Sequence, residues 1–171
     1  MWSRWFLRPV VAAVLAAVAS SGTAAAAPCW PPPVAAPVAD PFRPPPCAWC
    51  PGNRGIEYAT GAGAVVTAVA TGRVTFAARV AGTSYVVVAH ADGLRATYAN
   101  VVATHLRVGD LVVVGTRVGV TAGRFHFGLR DGVDYVDPTP MIGRWVGRPR
   151  LIPLDGDHGP PGRARMLHCG P

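Results

Sequence analysis

The chain has 171 residues, half of them hydrophobic and 15% charged, which suits about one globular domain with appendages. Its 16 basic residues are all arginine and outnumber 9 acidic ones, for a formal charge of +7. The lack of lysine beside abundant Ala, Val, Gly and Pro is the mark of GC-rich coding, so the charge says little about a polyanion partner. The arginines are dispersed and no recognition helix is visible, which excludes nucleic acid as the expected partner.

Residues 1–27 read as a secretory signal peptide. "MWSRWFLR" carries positive charge, "PVVAAVLAAVA" is an apolar core too short to span a bilayer comfortably, and "SSGTAAAAP" supplies small residues for cleavage. Pro28 disfavours a cut directly before it, which places cleavage among residues 24–27. The chain is therefore expected in an extracytoplasmic place, secreted or in the cell envelope, with no membrane span after cleavage. Removing Arg4 and Arg8 leaves 14 arginines against 9 acidic residues, a net of +5.

Export permits disulfides among Cys29, Cys47, Cys50 and Cys169, and four cysteines allow three pairings. A bridge from Cys29 to Cys169 would tie the two tails. The "CAWC" stretch could close on itself or hold a redox pair. It lies in a proline-rich approach without the strand-to-helix setting that lowers a thiol pKa, so a structural bridge is expected.

Residues 28–37 open a Pro-rich linker. Of the 19 residues from Pro28 to Pro46, nine are proline, which excludes helix and central strand there. A domain is expected over residues 38–143. Its β-rich runs are "AVVTAVA" (64–70), "RVTFAARV" (73–80), "SYVVVAH" (84–90), "LRATYAN" (94–100), "LVVVG" (111–115), "FHFGLR" (125–130) and "VDYVD" (133–137). Turn signals "TG", "AGT", "ADG", "VGD", "AG" and "RDG" separate them. Short, regularly spaced strands predict an all-β fold, a small antiparallel sandwich or barrel. Residues 144–171 form a Pro/Gly/Arg-rich tail, expected to be mostly irregular, with five Arg and two Asp.

Five segments carry a pattern, in order: "PGNRGIEYA", "GAVVTAVATGRV", "VVVAHADGLRATYAN", "LRVGDLVVVGTRVG" and "RFHFGLRDGVDYVDP". Together, over roughly Gly52 to Pro138, they resemble the lysostaphin/LytM-type zinc peptidase domain, whose members cut peptide cross-bridges of bacterial cell wall. The resemblance implies a small antiparallel β structure around a groove, of the duplicated hybrid motif type. It also implies three zinc ligands and two further histidines. At the ligand positions stand Asn53, Glu57 and His126. At the two further histidine positions stand Asn100 and Arg124.

Catalytic zinc needs three protein ligands and an open position for water. Glu57 and His126 are suitable; the Asn53 amide is a poor substitute for imidazole. Strand alternation puts Arg124 and His126 on one face. A guanidinium stays charged, cannot accept a proton, and opposes a dication. No catalytic set is therefore intact, and no cofactor is expected. Only "VTAG" separates Gly119 from Arg124, where the family carries a longer loop, so the groove is expected to be open and shallow.

Tyr98 and His90 complete the expected groove, with Tyr98 open equally to plain strand packing and His90 to a structural hydrogen bond. His105 falls in a loop, and His158 and His168 in the tail. The expected function is a secreted, catalytically inactive wall protein. It would bind peptidoglycan peptide, or a cell-wall hydrolase that it regulates, as degenerate members of the family do. The alternative is a zinc metalloendopeptidase with a non-standard ligand set. The "LRVGDLVVVGTRVG" run also resembles the turn of biotinyl and lipoyl carrier domains, but a carrier needs a lysine and the chain has none.

Overall fold

The computed structural model describes residues 29–47, 49–146 and 166–169; the expected signal segment and most of the tail lie outside these. The described fold is all-β and antiparallel, as the turn spacing predicts. Nine strands share one sheet: β1 (Val38–Asp40), β2 (Gly55–Tyr58), β3 (Ala62–Thr67), β4 (Gly72–Val80), β5 (Thr83–His90), β6 (Leu94–Val102), β7 (Leu111–Val112), β8 (Arg117–Asp131) and β9 (Asp134–Val136). Their order is β1-β2-β8-β6-β5-β4-β7, with β3 and β9 also paired to β8.

The long strand β8 organises the sheet. It pairs with β6 along much of its length, with β3 near its start, and with β2 and β9 further on. Its side chains alternate, as a pleated strand requires. Phe125, Phe127 and Leu129 point into the core and are fully buried. Val74, Val86, Val88, Ala96, Tyr98 and Val101 pack in the same cluster. The expected break at "AG" does not occur, because Ala122 pairs with Ala62 of β3. A different irregularity takes its place. Between the pairs Ala99↔His126 and Val101↔Thr121, residues 122–125 of β8 lie opposite the single β6 residue Asn100. Such bulges re-aim side chains near functional sites.

The proline-rich approach is extended, but part of it belongs to the core. Trp30 and Val34 are buried at 5% and 4% exposure, too little for a free linker. Trp30 is clamped on both sides: its N–H donates to the Met141 carbonyl, and its own carbonyl accepts from Gly143, each at 2.8 Å. The tail is also not irregular throughout. Strand β10 (Arg144–Val146) pairs with β11 (Met166–His168), and a Cys29–Cys169 disulfide adjoins them. Cys47 and Cys50 form the second disulfide, so "CAWC" closes on itself.

Candidate functional site

A groove of about 600 Å³ opens on the face of the sheet opposite the Phe125–Phe127–Leu129 row, and five of the sequence-predicted residues line it: Asn53, Glu57, Asn100, Arg124 and His126. Strand register explains the convergence. Glu57 of β2 is the direct partner of His126 of β8, so both side chains leave the same face side by side. Nδ1 of His126 donates to Oε1 of Glu57 at 2.7 Å, with both side chains about one quarter exposed. Glycines make room for the ring. A Cβ at Gly55 would lie 2.7 Å from Cε1 of His126, and one at Gly128 would lie 3.2 Å from its Nε2.

Asn53 sits beside this pair but is already committed. Its Nδ2 donates to the carbonyls of Asp40 and Pro41, at 3.3 and 3.1 Å. Its Oδ1 accepts from the Gly55 N–H at 3.3 Å. The residue is 7% exposed and ties the loop before β2 to β1. Asn100 has a comparable role on the other side. It takes a left-handed conformation, φ 61°, which Asn tolerates better than most residues. Its Nδ2 then donates to the Arg124 carbonyl at 2.7 Å, pinning the β8 bulge. Arg124 is exposed on the groove wall. Among the described residues, no three His, Cys, Asp or Glu side chains come together.

Two expected groove residues lie elsewhere. Tyr98 is fully buried, because it alternates with Thr97 and Ala99 and so faces the core. Its hydroxyl accepts from the Val69 N–H at 3.0 Å, and burial raises its phenol pKa above the ordinary value. His90 is also buried, with its Nδ1–H donating to the Thr71 carbonyl at 2.9 Å and its ring 5.5 Å from that of Trp30. It is a structural histidine. Thr97, Ala99, Tyr85, Arg54, Arg130 and Tyr135 line the groove instead. Alternation from His126 could have found Arg130, four residues on. Nothing local marks Tyr135, which is placed by the turn after β8 and lies 4.8 Å beneath the Arg130 guanidinium.

Comparison with known proteins agrees with this arrangement. Residues 51–138, half of the chain, match peptidase family M23. The chain belongs to peptidase family M23. An uncharacterized protein of Mycobacterium tuberculosis is 35% identical over 152 residues, covering 75% of this chain. This chain spans only 57% of that relative's length. Among solved structures, Helicobacter pylori Csd3 is similar with a TM-score of 0.59 and 26% identity, over 68% of this chain and 33% of that one. A chain of the SpoIIQ–SpoIIIAH pore-forming complex is similar in fold, with a TM-score of 0.59 and 20% identity, over 68% of this chain and 92% of that one. In this M23 domain, β6, β8, β2 and the loop before β2 supply the groove residues that the sequence pattern singles out and the structure brings together. Among the described residues no helix is long and apolar enough to cross a membrane.

Proposed function

We propose that this chain is an exported M23 protein that holds wall peptide in its groove without cleaving it. The observation that carries the reading is the state of Asn53. Both ends of its amide are spent on backbone groups, so it has little left to offer a metal. Among the described residues, Glu57 and His126 remain as two donors, hydrogen-bonded to each other. Two donors fall short of the three that a catalytic zinc site requires, and the Arg124 cation beside them opposes a dication. The residues present do not fit the zinc of the family, and the groove has no route to hydrolysis through it. Arg124 and Asn100 also leave the groove without a group that could take a proton from water at those positions.

A peptide is the favoured occupant because the groove floor is made of small side chains. Thr97 and Ala99 of β6 and Gly128 of β8 line it on adjacent strands, a surface for an extended chain. Regulation of a wall hydrolase through this face is the related form of the same reading. It is supported by the M23-like fold found within the SpoIIQ–SpoIIIAH complex, which assembles with another protein.

One observation favours a second reading, a zinc endopeptidase with an unusual ligand set. Glu57 and His126 are direct partners on paired strands and leave the same face, the placement that two ligands of one metal would need. Co-sedimentation of the purified protein with cell-wall sacculi, in the presence of zinc, separates the two. The expected result is protein in the pellet and no soluble wall fragments. Release of fragments by the wild type but not by His126→Ala would establish the endopeptidase.

A further inference from the structure

We infer that the groove is a receptor for a carboxylate, with Arg124 as its principal contact and the peptide's free C-terminal or side-chain carboxylate as the group it takes. The inference rests on the reading of the groove as a peptide-binding site and names the chemistry of its ligand.

The charge balance of the groove is the first support. Arg124 and Arg130 line it, against Glu57 as the one carboxylate among the described lining residues. Glu57 is not free to neutralise them, since it is bonded to His126. Asp40, the acidic group whose carboxyl feels the Arg124 charge, is taken up by Arg43 through a two-pronged contact. Among the described residues, the Arg124 and Arg130 guanidiniums therefore outnumber the carboxylates that line the groove.

Arg124 differs from its neighbours in what it already does. Arg130 donates to the Val133 carbonyl at 3.0 Å and stacks over Tyr135. Arg54 also lies over that ring, at 5.6 Å. The Arg124 guanidinium makes no hydrogen bond or ion pair with any described residue, whereas its backbone is fixed by Asn100. A side chain with five unused donors on an anchored backbone is suited to a ligand. The planar fork matches a carboxylate through two parallel hydrogen bonds.

A carboxylate is favoured over a phosphate by the surroundings. Arg54 and Arg130 both lie over the Tyr135 ring, which leaves Arg124 as a single planar fork at the bulge, suited to one carboxylate. A peptide laid along β8 would bring its carboxylate to one end, at the bulge that carries Arg124.

The test is isothermal titration of the full chain with N-acetyl-tetraalanine, its C-terminal amide, and inorganic phosphate. The acid should bind, and amidation should weaken it at least tenfold. Arg124→Gln should weaken the acid by the same factor and leave the amide unchanged, so that the two losses do not add. Arg107→Gln, the same charge change outside the groove, should have no effect. If acid and amide bind equally, in wild type and in Arg124→Gln, the carboxylate receptor is overturned while peptide binding stands. If neither peptide binds, the peptide-binding reading falls with it. Phosphate binding tighter than the acid overturns the assignment to a carboxylate.

Discussion

Single side chains decide what the groove can do, and their roles follow from which way they point. One residue of register separates Tyr98, in the core, from Thr97 and Ala99, in the groove. Sequence pattern could place Asn53, Glu57, Asn100, Arg124 and His126 because each falls within a motif whose spacing is kept. It could not tell that the Asn53 amide is consumed by the Asp40 and Pro41 carbonyls, since those come from a separate segment of the proline-rich approach. Tyr98 gives a prediction at this scale. Burial holds its phenol above the ordinary value of 10.0, so the folded state keeps a proton that the unfolded chain releases. Its contribution is fully present below pH 10 and is lost as pH rises beyond that, at up to about 1.4 kcal/mol per pH unit. Tyr98→Phe should lessen this alkaline fall in urea titrations from pH 9 to 11, the remainder coming from the buried Tyr58 phenol, whose pKa burial raises in the same way. At neutral pH it should cost about 1–3 kcal/mol, because the buried Val69 N–H loses its acceptor. An unchanged alkaline slope would remove Tyr98 from the explanation.

Among the elements, the strands with strong β-branched alternation were legible, as were the short β7 and β9, whereas β1 and β2 were not. Runs such as "SYVVVAH" carry period-2 burial that tertiary contacts only reinforce. Strand β2 has four residues and begins with glycine, and β1 sits among prolines, so neither has a local signal. Both exist because β8 offers a paired edge to β2, and β2 offers one to β1. The "AG" within β8 reads locally as a turn, yet β3 pairing keeps it extended. Gly55 tests the closeness of β2 and β8. A Cβ there would meet the Phe127 carbonyl and lie 2.8 Å from the Gly128 Cα, both backbone atoms that cannot swing away. Gly55→Ala should lower the unfolding free energy by about 1–3 kcal/mol in denaturant melts. It should also displace the His126 ring, read as a changed imidazole resonance by NMR. A fully stable variant with an unshifted His126 would be at odds with the strand spacing.

At the scale of the molecule, the two ends of the chain close the domain together. Trp30 reaches the core, Cys29 beside it is bonded to Cys169, and β10 pairs with β11. The bridged residues are 140 apart in sequence, so the link removes much freedom from the unfolded chain. Replacing both cysteines by serine should cost about 2–5 kcal/mol, measured as a lower melting temperature under non-reducing conditions. The same substitution at Cys47 and Cys50, only 3 residues apart, should cost distinctly less. Composition and cysteine count made such a bridge readable as one of three pairings; they could not show that the approach to the domain is part of its core.

The proposed peptide holding without cleavage requires that Glu57 and His126, with no third donor beside them among the described residues, do not make a zinc centre. Calorimetric titration of the metal-stripped protein with zinc decides this. No stoichiometric binding is expected at micromolar zinc, and His126→Ala should give the same heat as the wild type. One tightly bound zinc per chain, lost on His126→Ala, would overturn the assignment of the groove as a non-catalytic site.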